Sequence, residues 1–196
     1  MLRLFRLATF VLAAVLAGCG FSVGPAPQTT TRSVEQEAFW RRLAQLCGRA
    51  FEGRMTEGTS PGDSVFLQNR LVMHVRDCGA DEVRIPFQIG PDASRTWIVS
   101  RVRGGLRLKH DHRHEDGTED PVSSYGGDTR TAGTAARQDF PADTFTARLL
   151  PVAATNVWTL EVEPGRTFAY TLRREGTGRR FRVEFDLARP VAPPAP

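Results

Sequence analysis

Hydrophobic and polar residues alternate along most of this chain. The pattern is cleanest over 181–187, where Phe181, Val183, Phe185 and Leu187 interleave with Arg182, Glu184 and Asp186. A period of two puts one set on one face of an extended strand and the other set on the opposite face. The same spacing recurs at Val83, Ile85, Phe87 and Ile89, and again at Phe168, Tyr170 and Leu172. Turn signals divide the runs at Pro61-Gly62, Gly104-Gly105, Asp116-Gly117, Pro164-Gly165 and Gly176-Thr177-Gly178. The pattern predicts strands over 49–57, 65–77, 82–90, 95–103, 105–115, 118–125, 129–139, 156–163, 166–174 and 179–187. The segment from Asp143 to Leu150, ahead of Pro151, reads as a short helix.

One stretch near the start has a different period. Phe39, Leu43, Leu46 and Cys47 fall at helical spacing, with Ser33 and Gln36 placed as a capping box. Glu35 and Glu37 suit the first turn, and Gly48 supplies a left-handed stop, so the helix is expected over 34–47. A short N-terminal helix followed by an antiparallel meander of 8–10 strands makes a mainly β chain, an up-and-down barrel or a curled sandwich. Closure into a barrel is favoured because it removes exposed edges from so wide a sheet. The interior then holds either packed side chains or one small ligand. The folded unit is expected over 33–188. Residues 189–196, RPVAPPAP, read as a proline-rich tail that stays out of the sheet.

The first 18 residues carry Arg3 and Arg6, then an apolar run from Leu7 to Ala17, too short to span a bilayer. They match a secretory signal peptide. The run closes on Leu16-Ala17-Gly18-Cys19, which resembles the lipobox of bacterial lipoproteins. That resemblance implies cleavage before Cys19 and a lipid on its sulfur. Gly20 in place of aspartate after the cysteine implies an outer-membrane anchor facing the periplasm. Residues 19–32, rich in Gly, Pro and Thr, then form a flexible tether. Cys47 and Cys78 remain, and an exported chain in an oxidising compartment is expected to join them.

Removal of the signal changes the reading of charge. The full chain has a formal charge of +4 and an isoelectric point near 9.5, but two of those charges leave with Arg3 and Arg6. No basic cluster interleaved with aromatics appears, so no nucleic-acid partner is expected. Lys109 is the single lysine among 26 Lys and Arg, which removes phosphate-loop and Schiff-base chemistry. His-Glu-x-x-His and dinucleotide fingerprints are likewise missing from the sequence.

A second resemblance concerns the body of the chain. Trp40 and Leu43, running into Cys47-Gly48-Arg49-Ala50-Phe51-Glu52-Gly53-Arg54, resemble the opening of calycin-type barrels, among them nitrobindin-like and fatty-acid-binding-like proteins. In that group a short helix leads into a glycine-marked first strand. The resemblance implies a non-enzymatic barrel that binds a small hydrophobic ligand. No residue here matches a haem-ligating histidine of that group, so no cofactor carries over.

The most chemical feature is Leu106-Arg107-Leu108-Lys109-His110-Asp111-His112-Arg113-His114. His110, His112 and His114 fall on one face of a strand, in phase with Leu106 and Leu108. Three readings fit: a transition-metal site, imidazoles wet at a hairpin end, or buried imidazoles hydrogen-bonded to acids in a barrel mouth. The function expected is a lipid-anchored periplasmic lipoprotein binding a small hydrophobic ligand or an envelope partner. The alternative is a metal-binding protein or metal-dependent enzyme using His110, His112 and His114.

Overall fold

The computed structural model describes residues 31–194. The signal segment, Cys19, most of the tether and the last two residues lie outside the described residues. Helix α1 runs Val34–Ala44, and the chain then turns through Gly48, which adopts φ +77°. Ser33 caps it as the sequence indicates: its Oγ accepts from the Gln36 N–H, and the Gln36 side chain accepts from the Ser33 N–H.

The remainder is a nearly closed antiparallel barrel. Its strands are β1 (Ala50–Gly58), β2 (Leu71–His74), β3 (Asp77–Cys78), β4 (Glu82–Ile89), β5 (Asp92–Val102) and β6 (Gly105–His112). They continue with β7 (Tyr125–Asp128), β8 (Arg137–Pro141), β9 (Asn156–Glu163), β10 (Thr167–Arg174) and β11 (Arg180–Val191). Ten strands follow in the order β7-β6-β5-β4-β2-β1-β11-β10-β9-β8, with the two-residue β3 appended to β4. Helix α2 (Ser64–Gln68) lies between β1 and β2, and helix α3 (Thr144–Leu149) between β8 and β9.

The two ends of the sheet, β7 and β8, meet through α3. The Asp143 N–H donates to the Gly126 carbonyl at 2.9 Å. Thr146 Oγ1 accepts from the Gly126 N–H at 2.7 Å and donates to the Gly126 carbonyl at 2.8 Å. A Cβ on Gly127 would overlap the Pro141 carbonyl. The seam therefore closes only with glycine at that position.

Alternation holds where it was strongest. Phe181, Val183, Phe185 and Leu187 are all buried, and so are Val83, Ile85, Phe87 and Ile89. Four expectations fail, each for a local reason. The segment 65–77 is not one strand: Pro61–Asp63 forms a 3-10 turn leading into α2, and only Leu71–His74 and Asp77–Cys78 are extended. Ser60 and Asp63 cap that turn, with Asp63 Oδ2 accepting from the Ser60 N–H at 2.9 Å.

Residues 118–125 are mostly loop, because Asp116 and Asp120 each accept an N–H two residues on and bend the chain. Residues 129–139 enter the sheet only at Arg137. Before that, Thr131, Ala132 and Thr134 give their carbonyls to the side chains of Gln36 and Gln138 instead of to a ladder. The tail beginning at Arg189 does join the sheet, with Phe51 opposite Pro190 and Ala50 opposite Val191. Pro190 is tolerated there because β10 pairs no further along β11 than Asp186, so that flank needs no N–H.

The barrel is filled from one end. Phe39 and Leu43 of α1 are fully buried, and Trp40 nearly so. Gln36 Nε2 donates to Thr129 Oγ1 and the Thr131 carbonyl, and Glu37 pairs with Arg101, whose guanidinium lies over the Trp40 ring. These contacts fix α1 over the end that carries the β5–β6 and β9–β10 hairpins. Cys47, just after α1, forms a disulfide with Cys78 across 31 residues, with Cα atoms 6.3 Å apart. Phe168 and Phe185 fill the middle without any exposure.

Candidate functional site at the open end

The other end carries the β4–β5 and β10–β11 hairpins and α2, and it is not filled. Register explains what faces inward there. On β5 and β6, Arg101 pairs with Leu106, Val99 with Leu108, Trp97 with His110, and Arg95 with His112. Moving outward along this ladder, the aliphatic Val99–Leu108 pair gives way to an aromatic pair and then to a polar one. Phe87 on β4 sits beside Arg95, so Phe87, Arg95 and His112 form the outermost rung.

Trp97 closes the floor. It stacks on Tyr170 across the barrel at 4.5 Å and on Phe87 at 4.7 Å between ring centroids. Above the floor lies a pocket of about 130 Å³. Its far wall is Leu172 and Phe181, and Phe66 of α2 packs edge-on against Phe181 at 4.6 Å to cover one side. Arg179 holds this cover in place. Its two terminal nitrogens donate to the Asp63 carboxylate at 2.6 and 2.7 Å, with Asp63 only 5% exposed.

The inner polar groups form a chain of hydrogen bonds. His110 Nδ1 lies 3.1 Å from the Tyr125 carbonyl, which only accepts, so Nδ1 carries the proton and donates. His110 Nε2 then accepts from the Tyr170 hydroxyl at 2.9 Å. The Tyr125 ring stacks on His110 at 4.5 Å, and its hydroxyl pairs with His112 Nε2 at 3.1 Å.

Burial keeps this set uncharged. Desolvation pushes His110 down to about 3, only partly opposed by the bond to the Tyr125 carbonyl. His112 is lowered by desolvation and then by the Arg95 charge, against the pull of Asp120, Asp111 and Asp92. Tyr125 is pushed up to about 12, and Tyr170 well above its ordinary value, both mainly by desolvation. At neutral pH the charges in the lining are therefore those of Arg95, Arg179 and Asp63. Asp92, held at about 2, flanks them; burial raises it but is outweighed by bonds from Ser94 and Arg95.

The structure separates the three histidines of the sequence motif. His110 is buried, His112 half-buried at the pocket wall, and His114 exposed beyond the end of β6, in the turn closed by the Gly117 N–H to its carbonyl. Both nitrogens of His110 are occupied by hydrogen bonds, as is Nε2 of His112. Among the described residues no three His, Cys, Asp or Glu side chains form a group able to hold a metal ion. His110 and His112 are thus hydrogen-bonded in the barrel mouth, but to two tyrosine hydroxyls and a carbonyl where acids were expected, and His114 takes the wet arrangement.

Sequence reasoning gave no site role to Arg95, Trp97, Tyr170, Arg179 or the Asp63–Phe66 segment. One signal was present for Arg95: it stands in phase with Trp97 and Val99, so that a charge (as with Arg101 at the other end) bounds the apolar stretch of that face. Neither a family model, nor a curated protein, nor a solved structure matches this chain.

Proposed function

We propose that this protein is a lipid-anchored periplasmic lipoprotein, held to the outer membrane through Cys19, whose barrel is a non-enzymatic binder of a small hydrophobic ligand. The observation that carries the binding reading is the asymmetry of the barrel. Its packed half ends on a Trp97–Tyr170 floor, and above that floor an aromatic-walled pocket of about 130 Å³ lies under α2. Ligand sites are concave and mostly apolar, with a few placed polar groups, and this one fits that description. Apolar cavities of about 150 Å³ take benzene, so a pocket of about 130 Å³ suits a single ring, with any substituent reaching out into the mouth.

The anchoring half rests on the lipobox Leu16-Ala17-Gly18-Cys19. The Cys47–Cys78 disulfide accords with an oxidising compartment, and the helix-then-meander order accords with the calycin-type resemblance. Palmitate labelling in a bacterial host, with cell fractionation, tests the anchor. The native chain should label and sediment with membranes, whereas Cys19→Ser should do neither. Membrane association that is indifferent to Cys19→Ser would contradict the assignment. Calorimetric titration with benzyl alcohol tests the pocket, where saturable one-to-one binding is expected, weakened at least tenfold by Phe181→Ala. Absence of saturable binding would contradict it.

A further inference from the structure

The charges at the pocket mouth say more about the ligand than its volume does. We propose that the pocket takes a small planar anion, an aromatic carboxylate of benzoate size, with its ring inside the aromatic walls and its carboxylate on Arg95. The inference rests on the pocket being a ligand site and adds the chemical class of the ligand.

Arg179 and Arg95 differ in what they have left to give. Arg179 is spent on Asp63, with both terminal nitrogens bonded to a buried carboxylate. Arg95 is bonded through Nη1 to Asp92, leaving most of its five N–H donors for another acceptor. A planar fork with free N–H groups matches a carboxylate in shape and charge.

Position along the barrel orients the ligand. Arg95 and His112 form the outermost rung, one step outside Trp97 and His110. Arg95 keeps 30% of its side chain exposed. A carboxylate placed there stays near water while the ring below it is buried, so little charge desolvation opposes binding. His112 is neutral and offers ring contact without a competing charge.

The rival occupant is a quaternary ammonium, because aromatic cages attract cations. Lining charge decides against it: two guanidinium groups face the pocket and one carboxylate, already engaged, opposes them. A cation would meet Arg95, and the acid beside it, Asp92, is already bonded to that guanidinium and to the Ser94 N–H.

Isothermal titration of the purified full-length chain with benzoate, benzyl alcohol and tetramethylammonium tests this. Benzoate should bind at least tenfold more tightly than benzyl alcohol, and tetramethylammonium should not bind. Arg95→Gln should bring benzoate down to the benzyl alcohol level, Arg95→Lys should retain part of the preference, and Arg173→Gln on the outer surface should leave it intact. The comparison of probes on the native chain decides the question even where Arg95→Gln folds poorly. Equal affinity for benzoate and benzyl alcohol would overturn the anion assignment and leave the pocket reading standing, as would a preference for tetramethylammonium. No binding of any probe would overturn both.

Discussion

The two ends of this barrel are built from the same alternation and finish differently. At the helix end, α1 inserts Phe39 and Leu43 beneath the hairpins, and its polar groups are matched to the barrel rim by Gln36 and Glu37. At the mouth the inward positions are Arg95, His112 and Tyr125, and the cover is a five-residue helix held by one ion pair. A sealed end gains from complete packing, whereas an end that must admit a ligand trades packing for polar groups and a removable cover. This difference is the reason the proposed ligand site is set at the mouth.

This comparison yields predictions of decreasing size. Phe39→Ala empties a fully buried site in the plug, and it should lower unfolding free energy by about 3–5 kcal/mol in urea titrations. A loss near that at the mouth would blur the distinction. Asp63→Asn removes the charge that Arg179 grips; it should cost about 2 kcal/mol and selectively speed hydrogen exchange of the α2 amides, with α1 unchanged.

Acid should weaken the mouth through its histidines. The folded-state value of His110 lies below its unfolded one, so the stability associated with its neutral form is complete above about pH 6.5 and drains as pH falls toward about 3. His110→Phe should therefore flatten the stability–pH curve by up to about 1.4 kcal/mol per pH unit in that window. An unaltered slope would mean that His110 is not held neutral by burial. His114→Ala, on the exposed turn, should change stability by less than about 0.5 kcal/mol.

Much of the fold was legible because burial obeys the pleat: each apolar position of 181–187 and 83–89 points inward. The α1 cap was legible because Ser33 and Gln36 are neighbours in sequence. α2 was not, since Val65-Phe66-Leu67 is an apolar run that fits a strand equally well. The signal against a strand was Ser60-Pro61-Gly62-Asp63, which caps a helical turn. The histidine motif gave the correct wall of the pocket and no more. What makes a pocket there is the meeting of β4, β5, β6, β10, β11 and α2, and no local pattern encodes that Trp97 stacks on Tyr170 or that Arg179 reaches Asp63 across 116 residues.

The four histidines offer the most direct test that the mouth is the binding end, since His110 and His112 border the pocket, His74 faces the outer surface and His114 the rim turn. Histidine side-chain NMR of the full-length chain, followed during titration with benzyl alcohol, reads all four at once. Saturable shifts at His110 and His112, with His74 and His114 unmoved, are predicted. Shifts confined to His74 or His114, or a titration that leaves His112 in place, would contradict the account.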